Sequence, residues 1–85
     1  MKPASIPTLT VYSRNDCRLC DEMIAALREL QRRVRFELAV VDVDADPALE
    51  RRYGATIPVL AHGGHELCHY ALDPAAVTAY LSKFR

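Results

Sequence analysis

The segment Cys17-Arg18-Leu19-Cys20 constrains this chain most, because the C-x-x-C pair stands between two different residue periodicities. Before it, residues 8–13 read Thr-Leu-Thr-Val-Tyr-Ser, and four of the six are β-branched or aromatic, the composition of a strand. Arg14-Asn15-Asp16 is polar and turn-like. After it, from Cys17 to about Arg33, Leu19, Met23, Leu27, Leu30 and Val34 recur at steps of 4, 4, 3 and 4, which trace one stripe of an α-helix. Cys20 and Ile24 widen that stripe. Asp21 and Glu22 fall in its first turn and Arg32-Arg33 in its last, matching the helix dipole at both ends. The pair is therefore predicted where a strand ends and a helix begins. C-x-x-C alone reads equally as a redox pair or half a zinc site. Zinc pairs usually sit in short metal-clasped loops, whereas this one opens a long amphipathic helix.

The rest of the chain alternates in the same way. Residues 35–43 read as a strand, with Phe36, Leu38 and Val40 on one face. Asp46 as N-cap and Pro47 at the first helical position open a short helix. That helix is expected to end near Tyr53-Gly54, with the glycine in a left-handed cap. Ile57-Pro58-Val59-Leu60-Ala61 reads as a strand opening with proline, a position strands tolerate. His62-Gly63-Gly64-His65 is a hairpin turn and Glu66–Tyr70 the returning strand. Asp73-Pro74 starts a last helix, buried on Val77, Tyr80, Leu81 and Phe84. The order β-α-β-α-β-β-α implies an α/β fold. Its first crossover is right-handed and parallel, and its last two strands are antiparallel, giving a four-stranded mixed sheet flanked by helices. A length of 85 residues predicts a single domain over residues 1–85.

Eleven Lys and Arg balance eleven Asp and Glu. That argues against a nucleic-acid partner, which needs clustered excess basic charge. No apolar run reaches the roughly 20 residues that span a bilayer, so no membrane partner is expected. Met1–Pro7 has no apolar stretch of signal-peptide length. A cytoplasmic location follows as an expectation. Three cysteines do not close a disulfide framework, and in a reducing cytosol a pair is more often catalytic or metal-binding. Cys68, alone in a strand, reads as a core filler. A monomer is expected, with self-association left open by the zero net charge.

At a strand-to-helix junction, Cys17 meets unpaired backbone N–H groups and the helix dipole, which favour a thiolate. Arg14 and Arg18 add to this effect and Asp16 opposes it. Cys20, one turn deeper and in register with Ile24, is expected to be more buried. Thiol–disulfide exchange needs this pairing: an exposed thiolate attacks a disulfide, and a second thiol within reach resolves the mixed disulfide. A zinc site would need two more ligands, for which Cys68, His62, His65 and His69 are the candidates. The three histidines cluster about the Gly-Gly turn and read as solvated turn residues.

Together, the strand, the C-x-x-C at a helix start, the β-α-β unit, Thr56-Ile57-Pro58 opening a strand and the closing β-β-α resemble a glutaredoxin over about residues 8–84. Residues 13–22, with the segment Arg52-Tyr53-Gly54 through Ile57-Pro58-Val59-Leu60, most resemble small glutaredoxin-like proteins of bacteria. The resemblance implies a thioredoxin-like fold, with Cys17 as nucleophile and Cys20 as resolving thiol. It places Arg14 where the family's basic residue meets the glycine carboxylate of glutathione. It makes Pro58 a cis-proline that turns the Ile57 backbone outward, toward a substrate lying like an added strand. Asp73, at the start of the last helix, would keep part of a carboxylate-binding role or simply cap that helix. The implied activity is thiol–disulfide exchange on protein or glutathione mixed disulfides, with no metal, no tightly bound cofactor and glutathione as candidate co-substrate.

The sequence departs from the family in two places. Arg18 and Leu19 replace the usual proline and aromatic residue between the cysteines. Gly63-Gly64 precedes the last strand, whereas the family's glutathione-holding Gly-Gly follows it, so His69-Tyr70-Ala71-Leu72-Asp73 occupies that place. A second reading is a non-catalytic binding or redox-sensing module that presents Ile57-Pro58. A third is a metal or iron–sulfur site on Cys17, with Cys20 or glutathione as co-ligand.

Overall fold

The computed structural model describes residues 6–84. The elements are β1 (Thr8–Ser13), α1 (Arg18–Leu30), β2 (Glu37–Asp42), a 3-10 turn (Val43–Ala45), α2 (Pro47–Tyr53), β3 (Val59–His62), β4 (His65–His69) and α3 (Pro74–Leu81). A second 3-10 turn, Ser82–Phe84, follows α3. The strands lie in the order β2-β1-β3-β4. β1 runs parallel to β2 and antiparallel to β3, and β3 is antiparallel to β4. This is the mixed four-stranded α/β sheet that the element order predicts.

Strand alternation builds a core on each face of the sheet. Leu9, Val11 and Leu60 point to one side and meet Met23, Leu27 and Leu30 of α1 and Val77 and Leu81 of α3. On the other side Val59 packs with Val43 and Tyr53, and Tyr12, Leu49 and Ile57 close in around them. Tyr12 stacks on Tyr53 with ring centroids 4.2 Å apart. The helix starts follow the sequence reading. Asp46 accepts a hydrogen bond from the Ala48 N–H at 2.9 Å, and Asp73 accepts one from the Ala76 N–H at 3.1 Å. Each satisfies a donor that the first helical turn leaves unpaired.

Several local expectations are corrected. α1 stops at Leu30, because Gln31 caps it and donates its side-chain amide to the Phe36 carbonyl at 2.9 Å. Arg32 and Arg33 therefore lie beyond the helix, and Arg28 is the basic residue of its last turn. Leu19 leaves the apolar stripe and is 49% exposed, while Cys20, Met23, Leu27 and Leu30 form the buried face. β2 is an edge strand that starts at Glu37. Phe36 is buried just before it, but Val40 is exposed. β3 opens at Val59, two residues after Ile57, and β4 starts at His65.

Gly54 is not left-handed: its φ and ψ are −55° and −32°. Space explains the glycine, since a β-carbon there would stand 2.6 Å from the Glu50 carbonyl oxygen. Gly63, at φ 62°, supplies the left-handed residue of the two-residue hairpin turn instead. The histidines do not form one solvated cluster. His62 is half-buried and its Nδ1 lies 2.6 Å from the Tyr80 hydroxyl; His65 stacks on the Tyr80 ring. His69 stands at the other end of β4 and meets Glu66 at 2.7 Å. On α3, Val77 and Leu81 are buried and Tyr80 half-buried. Met1–Ser5 and the Phe84 side chain lie outside the described residues.

Candidate active site

Strand register fixes where the chemistry collects. Ser13 pairs with Asp42, Tyr12 with Val59, and Val59 with His69. One end of the sheet therefore gathers the exits of β1, β2 and β4 and the entrance to β3. From the end of β1 the chain turns through Arg14-Asn15-Asp16, with Asp16 left-handed at φ 57°. Aspartate tolerates that conformation better than most residues. Cys17 follows in extended backbone (φ −116°, ψ 104°) as the N-cap of α1, and its Sγ accepts a hydrogen bond from the Cys20 N–H at 3.1 Å. A sulfur thus takes the place usually held by a serine or aspartate oxygen at a helix start.

Cys17 and Cys20 are joined as a disulfide, with Cα atoms 5.2 Å apart. Cys17 is partly exposed, whereas Cys20 is 1% exposed beneath it. The two cysteines are unequal in this arrangement: one is partly exposed at the positive end of a helix, and the other is buried. The deeper burial of Cys20 is the one the sequence predicts.

The other candidate residues divide. Pro58 stands one residue before Val59, so it lies opposite Ser13 at the same sheet end; it is buried, and the Ile57–Pro58 peptide bond is cis. The Ile57 side chain packs on the Val43–Tyr53–Val59 cluster. Arg14 is turned toward the β2–α2 connection. Its Nε donates to both Asp44 carboxylate oxygens at 3.2 and 3.1 Å, and its Nη2 donates to Glu50 at 2.9 Å. Asp73 caps α3. Among the described residues, no group of three or more His, Cys, Asp or Glu is placed to hold a metal ion.

Tyr70 is the site residue that sequence reading missed, because it was counted only as a strand end. Its φ is 67°, an outlier for so bulky a residue. Its N–H donates to the Pro58 carbonyl at 2.8 Å and its hydroxyl to the Ala55 carbonyl at 3.4 Å. Tyr70, 48% exposed, is thus tied to the segment that leads into β3. Strained residues of this kind concentrate at functional sites. The sequence reading runs the strand through Tyr70, whereas β4 ends at His69.

Cys68 is half-buried on β4 and packs against the larger core cluster. Burial pushes its thiol above the ordinary value, and the nearby Asp73 and Glu66 carboxylates push the same way, against a hydrogen bond from the Asp73 backbone. The folded state therefore holds this proton longer than the unfolded chain does. Its contribution to stability is full below the ordinary thiol pKa and is lost as pH rises through the raised one. Alkylation of Cys68 in the folded protein should reach half its limiting rate at a higher pH than alkylation of the denatured chain. Coincident pH profiles would contradict the buried placement.

A parallel β-α-β unit, a C-x-x-C disulfide opening its helix and a cis-proline at the same sheet end define a protein of the thioredoxin fold. The chain belongs to the glutaredoxin-like family: the family model described as "Glutaredoxin-like domain (DUF836)" matches residues 8–82. It is similar to protein Ne2328 of Nitrosomonas europaea, solved by NMR, with 44% identity, a TM-score of 0.81 and coverage of 94% of this chain and 98% of that one. A crystal structure of protein XcR50 from X. campestris shares 36% identity at a TM-score of 0.71, over 88% of this chain and 96% of that one. Thioredoxin 1 of Thermosipho africanus matches at 15% identity and a TM-score of 0.61, over 89% of this chain and 96% of that one, which speaks to fold alone. No helix among the described residues is long and apolar enough to cross a membrane.

Proposed function

We propose that this protein is a thiol–disulfide oxidoreductase that cycles between the Cys17–Cys20 disulfide and its dithiol. The observation that carries this reading is the unequal pair: a partly exposed Cys17 at the helix start, linked to a buried Cys20. In the reducing direction the Cys17 thiolate attacks a substrate disulfide, forms a mixed disulfide and expels one substrate thiolate. Cys20 then loses its proton and attacks the Cys17 sulfur, releasing the second substrate thiol. Two electrons and two protons pass to the substrate, and the protein is left oxidised. In the dithiol form the Cys20 N–H and the helix dipole lower the cost of ionising Cys17. The residues at Ile57-Pro58 receive an extended substrate segment beside the sulfur, in the manner of an added strand. The cysteine usage suits a reducing, cytosolic setting.

The test uses the full chain, reduced with a dithiol and freed of it, then mixed with the small neutral hydroxyethyl disulfide. We expect one disulfide consumed per protein, with Cys17 and Cys20 recovered oxidised. If those cysteines stay reduced while the disulfide persists, the proposal fails. Regeneration by glutathione, compared with a thioredoxin-reductase system, then identifies the natural reductant.

A further inference from the structure

We propose that the natural substrate is a disulfide flanked by lysine or arginine on a protein surface, and not glutathione. This rests on the thiol–disulfide reading above and concerns what that site selects. The chain has no net charge, yet its charges are sorted by end. The end that carries Cys17 also receives Asp16, Asp42, Asp44, Asp46, Glu50 and Asp73, from the turns that leave β1, β2 and β4 and from α2. The opposite end, where α1 finishes and α3 closes, receives Arg28, Arg32, Arg33, Arg35 and Lys83. Glu29, paired with Arg32 at 3.6 Å, Glu37 and Glu66 offset only part of that positive charge.

Arg14 does not relieve the acidic end. It is the cation placed to greet a substrate carboxylate, but Asp44 and Glu50 already hold it, and the trio keeps one net negative charge. Arg18, beside Cys17, is matched by Glu22 at 3.3 Å, and Arg52 of α2 reaches the Gly64 carbonyl at the opposite tip at 3.5 Å, which leaves Arg51 against the remaining acids. Glutathione brings two carboxylates and one ammonium, a net negative charge at neutral pH, and meets repulsion here. A disulfide set among lysines or arginines meets attraction.

The apolar surface agrees with a macromolecular partner. Leu19, between the cysteines, and Tyr70, against Pro58, are 49% and 48% exposed at this same end. A protein segment lying along Ile57-Pro58 would cover both side chains. Charge complementarity of this kind acts mainly on the rate of encounter, by factors of about 10 to 10³ at low salt.

Three peptides with one cystine-closed loop, flanked by Lys, Ser or Glu, test this directly, with glutathione disulfide as a fourth substrate. The pre-reduced full chain is mixed with each, quenched in acid, alkylated, and the released thiols are counted by mass spectrometry. Each rate is divided by that of dithiothreitol with the same substrate, which removes intrinsic reactivity. We expect the Lys peptide to outpace the Glu peptide and glutathione disulfide by about tenfold or more at about 20 mM salt. The ratio should shrink toward one at about 0.5 M, where surface charges are screened. Asp16→Asn with Asp42→Asn, both suited to their backbone positions, should narrow the low-salt ratio several-fold. Equal rates, a preference for Glu or glutathione, or a ratio indifferent to salt overturns the charge inference while leaving the exchange reaction standing. If even the Ser peptide is not reduced, the exchange reading itself falls and this inference falls with it.

Discussion

Replacing Cys17 with serine should lower the rate of disulfide reduction by on the order of 10³-fold or more, because a serine hydroxyl is scarcely ionised at neutral pH. The fold should survive. Cys17 caps α1 by accepting the Cys20 N–H, and a serine oxygen is well suited to that place. Cys20→Ser should behave differently. The first attack needs only Cys17, so a mixed disulfide should form and persist, since nothing remains to release it. Intact-mass spectrometry after exposure to a disulfide peptide reads both outcomes: an adduct on Cys20→Ser and none at this site on Cys17→Ser. The reverse pattern would assign attack to Cys20, which is 1% exposed, and would contradict the geometry. Cys68 needs replacing by alanine in both variants, so that any adduct reports on the pair alone.

The second large effect concerns stability. Leu27→Ala should cost about 2–5 kcal/mol, since Leu27 is fully buried where α1 meets the sheet. A domain of this size has about 5–15 kcal/mol in all, so much of its margin would be lost. Leu19→Ala, at a position that shares the same sequence stripe, should change stability by no more than about 0.5 kcal/mol. Denaturant titration of both variants decides the matter. Equal losses would mean that Leu19 belongs to the core after all.

That pair of leucines also shows what was legible in the sequence and what was not. Periodicity located α1 and most of its buried face, because a helix repeats the same physical requirement every turn. It misassigned Leu19, which is 49% exposed although it keeps the spacing, because a stripe of spacing does not say where the covering layer ends. The three helix starts were readable because each depends on one local hydrogen bond, accepted by the Cys17, Asp46 or Asp73 side chain. Gly54 was misread for the opposite reason. Its need for a glycine comes from the crowding of Glu50 and not from its own φ, and crowding is not written in the residue itself.

The site was legible to a similar depth. C-x-x-C at a strand-to-helix junction located the disulfide pair, and Thr56-Ile57-Pro58 located the cis-proline at the same sheet end. The partners of Arg14 were not visible, because Asp44 and Glu50 lie 30 and 36 positions away along the chain. Only the return of β2 beside β1, with Ser13 against Asp42, brings them together. Tyr70 was hidden for the same reason: its importance arises from the Pro58 carbonyl, which folding alone carries to its N–H.

The Gly63-Gly64 turn has a practical use. It sits at the far tip of the sheet from the Cys17–Cys20 disulfide, and a β-carbon at either glycine would meet nothing within 4 Å. A short affinity epitope or fluorophore attachment point grafted between these glycines would give experimenters a handle that leaves the working face bare. Trapped complexes could then be pulled down or tracked without labelling any thiol.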